Sequence, residues 1–331
     1  MIIEQRAYAR AGLLGNPSDG YFGKTISILV RNFGAHVVLY ESPDLHIEPH
    51  ATDLNTYRSM DHFMESVGQT GYYGGSRLVK AAIKKFHDHC VQSGIPLAPR
   101  NFTIRYETSI PRQVGLAGSS AMITATFRAL MRFYDAEIPP EILPNLILAA
   151  ETEELGIQAG LQDRVIQVYE GCVYMDFNRS LMETQGHGMY EPIDPALLPS
   201  LYIAYKTELS KVSGKVHNTL KSRYESGDAQ VIATLNRIAE IAAEGKEAIL
   251  RRDTRSLFRL INENFDQRTR IMQISESNME MVRRARDCGA SASFTGSGGS
   301  IIGTFTDDAM LDRLVGELRK LNAKVIRPVI Q

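Results

Sequence analysis

Apolar side chains recur along this chain at two spacings, and each predicts an element. Residues 26–40 (ISILVRNFGAHVVLY) are rich in β-branched and aromatic residues around Gly34, a pattern that predicts a β-hairpin turning at the glycine. Over 75–92, Leu78, Ala81, Ala82 and Phe86 fall at helical spacing among cationic positions, which predicts an amphipathic helix. Phe102, Ile104, Tyr106 and Ile110 then recur at period two, a strand that ends at Pro111. After a loop containing glycines, Met122, Ala125, Ala129 and Phe133 step by three and four along a second helix. A third covers about 141–155, with Pro139 and Pro140 set before it.

From Gly186 to Ser200 the periodicity lapses, interrupted by Gly188, Pro192, Pro195 and Pro199. The domain boundary is placed there, with one domain over 1–190 and another over 191–331. Beyond it the pattern predicts a strand at Leu201–Tyr205 and helices at about 228–251, 254–266 and 276–287. A glycine-rich turn between two short strands occupies 290–306, followed by a helix over 308–321 and a final strand from Lys324 to Ile330. Strands and helices mixed in this order give an α+β chain in two lobes. The 331 residues suffice for two domains.

Charge and composition narrow the function. Lys+Arg is 37 and Asp+Glu 38, a net charge of −1. Nucleic acid or an acidic membrane surface as the main partner would demand a clustered basic excess, so both are disfavoured. With 44% hydrophobic and 23% charged residues the composition is that of an ordinary globular protein. Cys90, Cys172 and Cys288 are few, odd in number and widely spaced, which argues against a disulfide framework and a structural zinc site. Glu4 and Arg6 stand where a signal peptide needs an apolar stretch, and no apolar run reaches membrane-spanning length. A cytoplasmic setting is expected.

The sharpest local signal is Pro111–Ala121 (PRQVGLAGSSA): a strand, a loop with Gly115 and Gly118, then Ser119 and Ser120 at the opening of a helix. Glycines let a backbone approach an anion closely, and the first N–H groups of a helix point outward with partial positive charge. Together they make a phosphate site. Either serine hydroxyl is also able to bind the Mg²⁺ that accompanies a triphosphate; the plainer alternative is that Ser119 caps the helix. Gly23-Lys24-Thr25 ends like a P-loop, but the first glycine of that motif would fall at Ser18, and Ile26–Val30 continues as a β-rich run. Residues 293–300 (SFTGSGGS) read as a glycine-rich hairpin, lacking the glycine order and following helix of a dinucleotide site.

Among the carboxylates, Asp163 follows a segment carrying Gly156 and Gly160, where a lone loop aspartate ordinarily forms a turn or caps a helix. On the preceding helix Leu143, Leu146, Ile147 and Ala150 form an apolar stripe, and helical geometry brings Glu151 and Glu154 onto or beside it. A carboxylate facing a core is costly unless it is paired or bound to a metal, so the pattern hints at a cation site. It does not choose between the two glutamates, and a solvent-exposed helix end is the alternative.

Three segments, in order along the chain, resemble the GHMP kinases, the superfamily of galactokinase, homoserine kinase, mevalonate kinase and phosphomevalonate kinase. They are 9–19 (ARAGLLGNPSD), Pro111–Ala121 and Thr295–Gly299. Within the superfamily the chain is most similar to the plant-type glucuronokinases, which phosphorylate D-glucuronate at the anomeric oxygen. The stretches 12–19, 71–75 (GYYGG), 110–113, 159–165 (AGLQDRV), 213–217 (SGKVH), 264–266 (NFD) and 294–299 carry that similarity.

The resemblance implies a two-lobed α+β fold with a ribosomal-S5-like N-terminal lobe and a ferredoxin-like C-terminal lobe, ATP and a small sugar acid as substrates, and Mg²⁺. It implies that Asp163 is the catalytic aspartate with Arg10 beside it. Gly115, Leu116, Ala117, Gly118, Ser119 and Ser120 become the ATP-phosphate loop, and Ser120 and Glu151 the metal residues, with Glu154 the alternative to Glu151. Asp19 corresponds to a ligand of sugar hydroxyls, and Asn16 and Gly298 are expected on the substrate as well. The Tyr72-Tyr73 region is expected to wall the adenine. Two departures stand out. Asn16-Pro17 replaces the Glu-His of galactokinase-like members, so the sugar contacts should differ, and Arg164 follows Asp163 where many members carry Gln. A guanidinium meets a carboxylate bidentately, which makes Arg164 a candidate reader of a uronic acid; the alternative is that it pairs with Asp163 or a surface carboxylate. A kinase of this architecture for a heptose, fucose, galactose or galacturonate, or a non-catalytic nucleotide sensor, are the rival readings.

Overall fold

A computed structural model describes residues 2–49, 59–60, 74–207 and 215–330. In chain order its elements begin β1 (Ile2–Leu14), β2 (Lys24–Ser42), β3 (His46–Glu48), α1 (Gly75–Gln92), β4 (Asn101–Thr108), α2 (Gly118–Tyr134) and α3 (Leu143–Thr152). They continue with α4 (Gln162–Tyr169), β5 (Cys172–Asp176), α5 (Arg179–Gln185), β6 (Met189–Ile193), β7 (Leu201–Lys206) and α6 (Lys215–Glu225). The last are α7 (Ala229–Leu250), α8 (Thr254–Ile271), α9 (Glu276–Asp287), β8 (Ser293–Phe294), β9 (Ser300–Thr304), α10 (Asp308–Arg319) and β10 (Ala323–Ile326). The mixed α+β class expected from the pattern is what the chain adopts. Its residues group into two compact units that interleave along the chain: Met1–Tyr8, Phe33–Ile110 and Gly118–Ala159 in the first, Ala9–Asn32, Pro111–Ala117 and Gly160–Gln331 in the second. β1 and β2 contribute residues to both.

In the first unit, the later half of β2 pairs antiparallel with β4, from Ala35 opposite Thr108 to Ser42 opposite Asn101, and β3 lies parallel to β4. Of the stripe read for α1, Ala81, Ala82 and Phe86 are buried, together with Val79 and Cys90, while Leu78 is half-buried. Phe86 meets Phe127 of α2 edge-on at 6.2 Å, and Phe102 of β4 meets Phe133 at 5.5 Å. α2 is buried nearly all round from Ser120 to Phe127, which suits a helix wrapped by neighbours rather than one lying on a surface.

The hairpin predicted at Gly34 is absent: β2 runs straight through it. A Cβ there would lie 3.2 Å from the Tyr8 ring and 3.3 Å from the Ala7 carbonyl oxygen, so the glycine serves the close approach of β1 and not a turn.

In the second unit, the first half of β2 pairs antiparallel with β5, from Lys24 opposite Asp176 to Ile28 opposite Cys172, and β5 pairs with β6. The aperiodic stretch after Gly186 therefore contains a strand; it has one hydrogen-bonded neighbour, a place that tolerates Pro192. A separate antiparallel sheet has the order β10-β7-β9-β8. Tyr202, Ala204 and Ile301 of that sheet form one core with Phe265 of α8, Met281 and Val282 of α9, and Leu314 and Leu318 of α10. Helix α6, for which the pattern carried no expectation, contributes Leu220 to a core with Val231, Leu235 and Ile238 of α7 and Ile271 of α8.

Candidate active site

Arg10, on β1, is 5% exposed. Its Nε donates to Asp163 Oδ1 at 2.6 Å, and its Nη1 donates to the Gly115 carbonyl at 2.9 Å and to the Thr295 carbonyl. One guanidinium thus joins Asp163, Gly115 and Thr295, which lie with Arg10 in the second unit. The loop is held further: the Arg10 backbone N–H donates to Leu116 O at 3.2 Å, and Gln167 Nε2, on α4, donates to Ala117 O at 2.9 Å. Carbonyls that would repel a phosphate are thereby bound by protein donors. Gly115 has φ 73°, in the left-handed region. A Cβ on it would stand 2.9 Å from Gly298 O and 3.2 Å from Ser297 N. The third motif is therefore a brace laid against the loop, and Gly298 reaches the site through backbone packing.

Asp163 lies in the first turn of α4, not in a loop. The glycines before it hide the helix start, yet an acidic residue there complements the helix dipole. Burial pushes its carboxyl up, but the charges of Arg10 and Arg164 and the hydrogen bond from Arg10 outweigh this and hold it below the ordinary carboxylate range. Arg164 is buried, its Nη1 3.4 Å from Asp163 Oδ2 and donating to Gly160 O at 2.8 Å. The structure thus pairs Arg164 with Asp163.

Asp19 accepts from the Gln162 N–H at 3.3 Å. Burial and then the charge of Asp163 raise its carboxyl, against the opposing pull of that hydrogen bond, Arg10 and Arg164. Two neighbouring carboxylates are thus driven apart in pKa, the arrangement that divides roles in an active site. Asn16 Nδ2 donates to Gln162 Oε1 at 2.9 Å, while Asn16 Oδ1 accepts from Arg268 Nη1 at 2.6 Å. Asn264 Oδ1 accepts from the Gly15 N–H at 2.7 Å. Gln167 and Arg268 were not singled out by sequence reasoning, and Gln162 and Asn264 entered it only within the stretches 159–165 and 264–266, with no role given. The signal for two of them existed: Asn264 and Arg268 sit four apart on the buried stripe of α8 with Leu257, Leu260, Ile261 and Phe265.

In the first unit, Ser119 Oγ donates to Glu151 Oε1 at 2.6 Å, and Glu151 is fully buried near the end of α3. Glu154 faces elsewhere, 2.9 Å from Lys84 Nζ and 3.3 Å from Lys85 Nζ of α1. Geometry thus separates the two glutamates that spacing left equal. A hydroxyl and a carboxylate are hard oxygen donors and fit Mg²⁺, which takes one or two carboxylates together with substrate phosphates. Ser120 is fully buried beside them in sequence. Among the described residues no group of three His, Cys, Asp or Glu side chains is arranged for a metal, so an ion here would share its shell with substrate oxygens. Tyr72 and Tyr73 lie outside the described residues. No described helix is long and apolar enough to cross a membrane.

Residues 77–171 match the family model "GHMP kinases N terminal domain" and 246–324 match "GHMP kinases C terminal". Glucuronokinase 1 of Arabidopsis thaliana is 45% identical over 306 residues, covering 91% of this chain and 84% of that protein. The chain belongs to the GHMP kinases. This GHMP kinase is also 44% identical to probable glucuronokinase 2 of the same plant, over 99% of this chain and 91% of that one. Its fold superimposes on Lactococcus lactis galactokinase complexed with galactose, with a TM-score of 0.78, 14% identity and coverage of 99% and 93% of the two chains. Asp163, Ser119 and Glu151 of the GHMP kinase fall inside the N-terminal match, and Asn264, Arg268 and Gly298 inside the C-terminal one.

Proposed function

We propose that this GHMP kinase transfers the γ-phosphoryl group of ATP to the anomeric hydroxyl of D-glucuronate, giving ADP and D-glucuronate 1-phosphate. The observation that carries the reading is Arg10, which binds Asp163 on one side and the first glycine of the phosphate loop on the other. Backbone N–H groups over 115–120 hold the triphosphate. Asp163, kept ionised at neutral pH, accepts the hydrogen bond of the anomeric hydroxyl and aims its oxygen. Phosphoryl transfer passes through a loose transition state and depends on positioning and electrostatics more than on a strong base, which suits a carboxylate of lowered pKa. Arg10 fixes the carboxylate and the loop relative to each other, and Asp19 and Asn16 contact the sugar hydroxyls. Ser119, Ser120 and Glu151 would hold Mg²⁺, which when bound offsets negative charge on the phosphate oxygens.

The test is ADP release by the purified chain with D-glucuronate, D-galacturonate, D-glucose, D-galactose, L-fucose and a heptose, with the product identified by ³¹P NMR. D-Glucuronate should give the highest kcat/KM and an anomeric phosphate. Faster turnover of a neutral sugar would reassign the acceptor, and no ADP with any of them would favour a nucleotide sensor. For the metal residues, Glu151→Gln keeps the shape and an acceptor for Ser119 while removing the charge. The Mg²⁺ concentration for half-maximal activity should rise about 10-fold or more, whereas Glu154→Gln should leave it in place. Equal responses would remove Glu151 from the metal site.

A further inference from the structure

Arg268 is 1% exposed, the largest fully buried side chain of the described residues, and no described carboxylate lies within ion-pair distance of it. Its Nη1 donates to a neutral acceptor, Asn16 Oδ1, and its plane lies near the Phe294 ring, 5.2 Å from the centroid. The Nε hydrogen meets no acceptor among the described residues. A buried guanidinium in this condition is costly, since neither its charge nor its donors are fully answered. Burial pulls its pKa down to about 10.

The imbalance extends to its surroundings. Three buried guanidiniums, those of Arg10, Arg164 and Arg268, are electrostatically coupled to two carboxylates, Asp163 and Asp19. Arg10 and Arg164 both spend themselves on Asp163. Asp19 is bonded to a backbone N–H and stands no closer to Arg268 than a long-range interaction. Among the described residues the cluster is therefore one negative charge short, and the deficit sits at Arg268, on the side of Asn16 and Asp19. Arg10 is the arginine bound to the phosphate loop, so the deficit is not at the nucleotide end of the cluster.

We propose that Arg268 receives the C6 carboxylate of the sugar acid and sets the preference for a uronate over its neutral counterpart. This rests on the sugar-acid kinase reading above and names the residue that reads the acid. With Nη1 committed to Asn16, the edge formed by Nε and Nη2 is left for a carboxylate, the side-on geometry in which two N–H donors meet two oxygens. Asn16 completes the device: a carboxylate at that position would neutralise the guanidinium internally, whereas a neutral amide orients it and leaves its charge to the ligand. Arg164, the alternative reader, is already engaged with Asp163 and the Gly160 carbonyl.

The test compares D-glucuronate with D-glucuronamide, which replaces the charged carboxylate by a neutral amide of the same size, by calorimetric titration of the full-length chain. The wild type should bind the acid at least ~30-fold more tightly than the amide, and Arg268→Met should erase that difference. Arg268→Lys, which keeps the charge without the paired donors, should fall between them. If Arg268→Met does not fold, Asn16→Asp supplies the same measurement, because the new carboxylate should occupy the guanidinium and lower the acid-to-amide ratio. A ratio unchanged in the folded variants overturns the role of Arg268. A wild type that binds acid and amide alike overturns it too. ADP formation with D-glucuronate by the wild type, measured separately, decides the kinase reading on its own.

Discussion

Asp163→Asn should lower kcat on the sugar acceptor by roughly 10²–10⁴ while leaving ATP binding nearly intact. The amide retains the size of the side chain but loses the charge that orients the hydroxyl. It also leaves Arg10 and Arg164 facing a neutral group, and removing one partner of a largely buried pair costs on the order of 3–5 kcal/mol. Activity must therefore be read well below the melting temperature of the variant. The pH behaviour follows from the same pair of arginines. Because Asp163 is held below its ordinary value, the stability it contributes is fully present above the unfolded carboxylate pKa, and it is lost as pH falls through the lower folded value. Its deprotonation should likewise place no acidic limb on the kcat profile near neutrality. Near wild-type turnover by Asp163→Asn would falsify its assigned role.

The second large effect is expected at Arg10. Arg10→Ala removes donors from Asp163, Gly115 and Thr295 together. Unfolding in urea should show a loss of about 3–5 kcal/mol, the usual result of stranding one member of a buried ion pair. Because burial is the largest influence on Asp163 and raises its pKa, the loss of Arg10 should move the acidic limb of activity to higher pH. KM for ATP should rise as well, since the Gly115 carbonyl loses its anchor. Arg10→Lys carries the charge but cannot serve several acceptors from one planar fork, so it should recover part of the stability and little of the activity. A lysine variant indistinguishable from the wild type would show that charge alone matters at this position.

Local periodicity was enough wherever an element has a neighbour on one face only. The buried stripes of α1 and α10 recur at helical spacing because each packs one side and leaves the other to solvent. It failed at Gly34, where a glycine amid β-branched residues signals a turn or a close approach equally well. The Tyr8 ring that decides the matter lies on another strand. It failed at Asp163 for a related reason: the glycines that precede it mark a loop, and the start of α4 carries no side-chain cap to announce it.

The candidate site divides in the same way. Residue types and their order along the chain named the Gly115–Ser120 loop and a pair of glutamates, because a phosphate loop and a buried carboxylate require particular chemistry within a few residues, whereas Arg10 and the role of Asp163 were implied only by the family resemblance. Which glutamate turns toward Ser119 depended on Lys84 and Lys85, two helices earlier, drawing Glu154 away. That Arg164 is spent on Asp163 while Arg268 lacks a carboxylate depended on contacts between residues as far apart as Asn16 and Arg268. The chain order thus determined which chemical groups are present and which local elements carry them. Only the tertiary structure decided which charges are answered and which are left over, because the balance of a buried charge is set by neighbours that folding brings from distant positions.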